Sequence, residues 1–261
     1  MQHMRVLHFY RTSIGKKVVV AVTGAIMYGF IIGHMLGNLK AFSGQTALDR
    51  YAEMLREIGQ AFIGHGTFLW IARIILIVAI VLHVATIIQL SRINHRARPA
   101  RSVRRRNKAS LAAKGMAISG TLILVFVIIH LAQFTFGWVT PHASGTADFE
   151  QGMVYSNLWG AFNVWWVAAF YVFMMAMVCM HVYHGAWSMV QTLGLDAPSR
   201  NRMIRSGAAA MAIVLFIGFS AVPISMVTNV VDAPDESISN EAHIDSEAGV
   251  LIPEHEGGAS R

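Results

Sequence analysis

Five stretches of this chain, Val18–Leu39, Thr67–Leu90, Met116–Val139, Phe162–Val190 and Gly207–Val231, are apolar over lengths that cross a bilayer. Hydrocarbon offers no water to backbone N–H and C=O groups, so each stretch must close its own hydrogen bonds as a helix. The composition agrees. With 55% hydrophobic residues, 13% charged residues and a mean hydropathy of +0.50, the chain is too apolar for a soluble domain of its length. The sequence therefore predicts an all-α integral membrane bundle of five transmembrane helices. Residues 1–231 are expected to form one transmembrane domain, and residues 232–261 an acidic, disordered tail. The first stretch is longer than a signal-peptide core, contains His34 and lacks a small-residue cleavage site, so it is expected to remain as the first helix. No internal repeat is apparent. The single cysteine, Cys179, excludes an internal disulfide and a thiolate-only metal site.

Orientation follows from lysine and arginine, which accumulate in cytoplasmic loops. Arg5, Arg11, Lys16 and Lys17 precede the first stretch, a dense run from Arg92 to Lys114 separates the second and third, and Arg200, Arg202 and Arg205 separate the fourth and fifth. The other side has Lys40, Arg50, Arg56 and Arg261, with acidic residues from Asp232 to Glu256. This places the N-terminus in the cytoplasm and the C-terminus outside, in the cell membrane. The run Arg96 to Arg106 and a pI near 9.9 could suggest nucleic acid, but aromatic interleaving is missing and membrane spans bracket the run. It reads instead as a topology signal that attracts anionic lipid headgroups and is compatible with an acidic cytoplasmic partner. No nucleic-acid partner is expected.

Ionisable side chains inside a membrane are costly and mark function. Each of the first four stretches contains a deep histidine: His34, His83, His130 and His181. His34 lies 17 residues beyond Lys17 and His130 lies 16 beyond Lys114, about 25 Å of helix at 1.5 Å per residue. Both fall near the outer surface. His83 is nine residues before Arg92, and His181 is about 20 residues beyond the outer start of its helix, so both belong to the inner half. Two pairs result, His34 with His130 outside and His83 with His181 inside. Opposed neutral imidazoles on facing helices suit the axial ligation of two b-type haems. A solitary membrane histidine more commonly makes an interhelical hydrogen bond, and the paired depths favour ligation. His184, three residues after His181 on nearly the same face, is a competing second ligand. His3, His8, His65, His95, His142, His243 and His255 fall in loops or tails and read as solvated.

Gly29, Gly33 and Gly37 form a small-residue ridge beside His34 that would admit a neighbouring helix or a flat macrocycle. Arg73, in the outer part of the second stretch, could meet a haem propionate or snorkel to the interface.

The block Ser13-Ile-Gly-Lys-Lys17, Thr23-Gly24 and Gly33-His34-Met-Leu-Gly37-Asn38-Leu39 resembles the opening of a membrane-anchor family. These are the five-helix cytochrome b anchors of succinate dehydrogenases and fumarate reductases that carry two haems on one subunit. His181-Val-Tyr-His184-Gly185-Ala-Trp187 is similar to that family's fourth helix and assigns the ligand to His181. The resemblance covers about residues 10 to 194 and includes no distinctive motif in the fifth helix. It implies two haem b groups, menaquinone or another quinone as substrate, and cytoplasmic partners that are a flavoprotein with FAD and an iron–sulfur protein. A further small membrane subunit is compatible with it. Succinate chemistry would occur on the flavoprotein, and this subunit of the respiratory enzyme would relay electrons to quinone. By the same analogy the quinone site lies near the outer haem, where Asn38, Tyr51, Glu53, Glu57 and Gln60 are hydrogen-bond or proton partners. The chain departs from some members, which have a glutamate two residues before the fourth-helix ligand where Cys179 stands, and this puts a compensating proton pathway in doubt.

Two other readings fit some of the same residues. Cys179 beside His181 and His184 could join an iron–sulfur site completed by a partner's thiolate, in place of haem in the same anchor. A small transporter or proton channel could use the histidines as a relay, although the third and fifth helices offer few polar residues besides Gln133, Ser220 and Asn229.

Overall fold

A computed structural model describes residues 10–96, 108–139, 141, 149–195, 197 and 199–235. Among them there are helices and no strands. Five long helices are apolar enough to cross a membrane: α1 (Ser13–Asn38), α4 (Thr67–Arg96), α5 (Lys108–Phe134), α7 (Trp165–Thr192) and α8 (Asn201–Val227). Shorter helices α2 (Gln45–Glu57), α3 (Gln60–Ile63) and α6 (Val154–Phe162) lie in the connections. The wide apolar surface of α4, including Ile74, Ile77, Val78 and Val81, is exposed, as expected of a helix whose solvent is lipid.

The helices do not begin and end where hydropathy does, because a helix continues into the polar interface as long as its backbone bonds are met. α1 starts five residues before Val18, with the Thr12 hydroxyl accepting the Gly15 N–H at 2.9 Å. α4 runs six residues past Leu90 through Arg92 to Arg96. α5 stops at Phe134, short of the expected Val139, where the N–H groups of Thr135 and Phe136 both return to the Leu131 carbonyl. The expected fourth span, Phe162–Val190, starts three residues later as α7, because Phe162 closes α6 and the chain turns at Asn163 and Val164. Pro223 lies inside α8, where it withholds one backbone N–H.

The helices alternate in direction. Tyr10 Oη, just before α1, lies 3.2 Å from Thr86 Oγ1 and donates to Gln89 Oε1 at 3.4 Å near the end of α4. At the same end Trp187 Nε1 donates to Asn201 Oδ1, joining the last turns of α7 to the start of α8, and Arg205 stacks on the Trp187 ring. Lys16, Lys17, Arg92, Arg96, Arg200, Arg202 and Arg205 thus share one end of the bundle, called here the basic end. The run 97–107 lies outside the described residues.

The opposite end is capped. A 3-10 turn (Leu39–Ser43) leads through Gly44, with φ of +91°, into α2, and Gly59, with φ of +77°, separates α2 from α3. α6 is largely buried through Tyr155, Asn157, Leu158, Ala161 and Phe162. Asp49 of α2 accepts the Tyr155 N–H at 3.0 Å and so caps the first turn of α6. Tyr155 Oη donates to the Asp232 carbonyl at 2.7 Å, and the Asp235 N–H donates to Gln45 Oε1 at 2.8 Å. The first four residues of the expected tail are therefore anchored on the cap. Residues 236–261 lie outside the described residues.

Burial pushes the Asp49 carboxyl above its ordinary value of 3.8, against the opposing pull of the Tyr155 and Val154 N–H groups and Arg56. A raised value means that the fold favours the protonated acid. The contribution of this group is greatest below the ordinary value and declines as pH rises through the raised one. Thermal unfolding in detergent should show Asp49→Ala destabilised by about 1 kcal/mol. Asp49→Asn keeps an acceptor for Tyr155 and should gain on the wild type as pH is raised from about 4 to 7; a wild-type advantage that grows over that range would contradict this account.

Candidate functional site

The four deep histidines gather into two levels. Nearer the basic end, His83 of α4 faces α1, where its Nδ1 lies 3.1 Å from Thr23 Oγ1. Thr23 donates its own proton to the Val19 carbonyl at 2.7 Å, so its oxygen accepts the Nδ1–H of His83. His181 of α7 meets α5 in the same way. Ser119 Oγ donates to the Met116 carbonyl and lies 3.0 Å from His181 Nδ1. Both hydroxyl residues are buried. This arrangement favours the tautomer with the proton on Nδ1, in which Nε2 is the atom suited to a metal. Thr23 and Ser119 stand 11 positions before His34 and His130 on their helices, so the seats of His83 and His181 lie at one level.

Both rings also rest on glycine. A Cβ on Gly24 would meet His83 Cε1 at 3.6 Å, and one on Gly120 would meet His181 Cε1 at 3.3 Å. His184, the competing residue, packs on the Tyr183 ring at 5.0 Å. The seat on α5 belongs to His181.

Nearer the cap, His34 of α1 and His130 of α5 place their ring centroids 5.9 Å apart. Bonds of about 2 Å from two opposed imidazoles to one metal put the centroids roughly 6 Å apart. Among the described residues, α5 packs on α7 and makes no extended contact with α1 or α4. The His34 and His130 side chains meet between helices that share no extended interface among the described residues. Aromatic rings line this level: Phe30 stacks on His34, with Phe219 at 5.9 Å, and Phe126, Phe134 and Tyr171 surround His130. Tyr171 Oη donates to Gln133 Oε1 at 2.8 Å, which leaves its oxygen to face His130 Nδ1 at 3.4 Å. Gln133 Nε2 is buried with no partner among the described residues. His34 is held by ring contacts alone among those residues.

The other expected site residues are dispersed. Arg73 is exposed and stacks on Trp70. Tyr51 packs against Gly37, where an added Cβ would meet its ring at 3.0 Å. Gly29 and Gly33 face open space among the described residues, so Gly37 is the one member of the ridge against which a ring packs there. Asn38 closes α1, and Glu57 and Gln60 are exposed. Glu53 is exposed and pairs with Arg56 at 2.8 Å and His65 at 3.1 Å. Its partial burial is outweighed by the hydrogen bonds from His65 and Arg56, which hold the carboxyl below its ordinary value. That makes it a weak proton donor at neutral pH. His65 is thus paired at the surface, and His95 is exposed. His3, His8, His142, His243 and His255 lie outside the described residues.

Cys179 is buried among Met35, Ala212 and Leu215. Positions 179 and 181 are about 200° apart around a helix, which points the thiol and the His181 ring in different directions. Among the described residues, no three of His, Cys, Asp and Glu converge on a metal-sized site. Ser119, Tyr171 and Asp49 carry polar roles that hydropathy did not single out, while the sequence marks Gln133 and Thr23 without the partners they have here. The signal available for Thr23 and Ser119 was a hydroxyl preceding glycine within an apolar span.

No known protein family, curated protein or solved structure matches the chain.

The Tyr171 hydroxyl serves two buried groups, so Tyr171→Phe should cost about 1–3 kcal/mol. A double-mutant cycle with Gln133→Leu, followed by thermal unfolding, should recover part of that loss. Strict additivity would show that the Tyr171–Gln133 bond carries no stability.

Proposed function

We propose that this chain is the di-haem cytochrome b anchor, and the quinone-reactive subunit, of a succinate:quinone oxidoreductase. The observation that carries the reading is the meeting of His34 of α1 and His130 of α5, ring centroids 5.9 Å apart and planes near perpendicular, between helices that share no extended interface among the described residues. Two imidazoles from different helices at that separation, among aromatic rings, suit ligation of one haem iron between them. The second level supports it through tautomers that leave Nε2 of His83 and His181 bare.

In this reading His34 and His130 hold the haem nearer the cap, and His83 and His181 the one nearer the basic end. The groups they hold supply one-electron transfer, while the chain supplies ligation, burial and separation from water. The basic end is cytoplasmic by the positive-inside rule. It receives the iron–sulfur and flavoprotein partners, where FAD and the clusters reside, and the membrane is the cell membrane. Menaquinone or another quinone reacts at the capped end. Among the proposed quinone partners there, Tyr51 and Asn38 have the best placement, beside the end of α1. Glu53 is committed to its ion pairs.

Reduced-minus-oxidised absorption spectra of the purified complex should show sharp b-type bands, and pyridine haemochromogen analysis should return two haems per chain. His34→Ala or His130→Ala should remove one spectral component and His83→Ala or His181→Ala the other, with His184→Ala removing neither. Broad iron–sulfur features, or no visible absorbance, would overturn the assignment in favour of the iron–sulfur or transporter readings.

A further inference from the structure

α1 and α5 carry the same phrase. Thr23–Gly24 precedes His34 in α1 as Ser119–Gly120 precedes His130 in α5, with 11 positions from hydroxyl to imidazole in both helices. Eleven residues make about three turns, so hydroxyl and imidazole lie on nearly one face, roughly 16 Å apart along the axis. Each hydroxyl receives the histidine of the next long helix. Thr23 binds His83 of α4 at 3.1 Å, and Ser119 binds His181 of α7 at 3.0 Å. The adjacent glycine lies under the same ring in both cases, and the hydroxyl proton is committed to a carbonyl of its own helix in both. A pattern Thr/Ser-Gly-x9-His thus occurs twice.

We propose that Thr23–Gly24 and Ser119–Gly120 are matched positioning residues for the His83–His181 metal pair, and that α1 with α4, and α5 with α7, are two copies of one ligand-presenting unit. This inference rests on the haem reading above. The physical roles divide cleanly. The hydroxyl fixes the tautomer and draws the Nδ1 proton, which makes the ring a stronger electron donor and favours the oxidised metal. Glycine lets the ring edge lie close to the helix, tightly at Gly120 and with an ordinary contact of 3.6 Å for an added Cβ at Gly24. A Cβ at Gly120 already falls at 3.3 Å from Cε1, so a branched side chain there displaces the ring. One unit sets two depths: its seat holds a ligand of the basic-end level, and three turns on its own histidine enters the capped-end level.

The test is a potentiometric titration of the purified complex followed by absorbance, with low-spin EPR on the same samples. Thr23→Val keeps the side-chain volume and removes the hydroxyl. It should raise the midpoint of the His83–His181 centre by up to about tenfold in the oxidised-to-reduced ratio, or ~59 mV for one electron. Ser119→Ala should shift the same centre in the same direction, Thr23→Ser should restore the wild-type value, and Gly120→Val should deplete that centre's haem. The His34–His130 centre serves as the internal reference and should stay within error throughout. Two haems in the wild type with unmoved midpoints and EPR in both Thr23→Val and Ser119→Ala would overturn the inference while leaving the proposed function standing. A shift confined to the His34–His130 centre would overturn it as well. Absence of haem from the wild-type complex would instead defeat the functional reading on which the inference is built.

Discussion

A buried imidazole needs a partner for its N–H, and in this bundle the partner's identity decides what the other nitrogen can do. Thr23 and Ser119 each have a backbone carbonyl one turn back to which the hydroxyl can donate, and a hydroxyl so engaged accepts from the histidine it faces. That arrangement favours the proton on Nδ1 and an Nε2 left as a donor atom. Tyr171, committed to Gln133, imposes the same choice more weakly on His130 at 3.4 Å. The tautomers are thus a property of the helices opposite, not of the histidines themselves. The rings are oriented by short hydroxyls on rigid helices, which is more exact than a loop could provide.

The helix arrangement follows from the same economy of contacts. α7 and α8 form the most closely packed pair, α1 lies against both of them and α4, and α5 meets the bundle through α7. The remaining approach, between α5 and the α1–α4 pair, is left to side chains. Large aromatic rings around His34 and His130 keep that level apolar without filling it with backbone. At the capped end the problem is different, because connections must terminate helices near polar solvent. Asp49, Asn157, Asn163 and Gln45 meet backbone groups that would otherwise be stranded there.

How much of the candidate site was legible varied with residue type. His34, His83, His130 and His181 stood out because an ionisable group in an apolar run contradicts its surroundings, and helix rise alone sorted them into two depths. Thr23 and Ser119 gave no comparable contrast, since a small hydroxyl can satisfy itself on its own helix and is common in membrane spans. Their role became visible only when the partner ring was in place. Glu53 shows how a fold adds partners that a linear reading does not supply. A carboxylate in the expected position attracted a chemical role, but its pairing with Arg56 and His65 leaves it a surface ion-pair member.

The sequence by itself determined that this chain forms five long apolar helices, that its cations collect at one end, and that its histidines lie at two levels. These are consequences of composition and rise per residue, which act within a single segment. Only the tertiary structure decided where helices end, that Asp232 to Asp235 dock on the cap, that Cys179 packs away from His181, and that Thr23–Gly24 and Ser119–Gly120 are equivalent seats. Each of these depends on a contact between residues far apart in the chain, some 60 positions for His83 on Thr23. Local periodicity carries no information about which face of one helix a distant ring will meet.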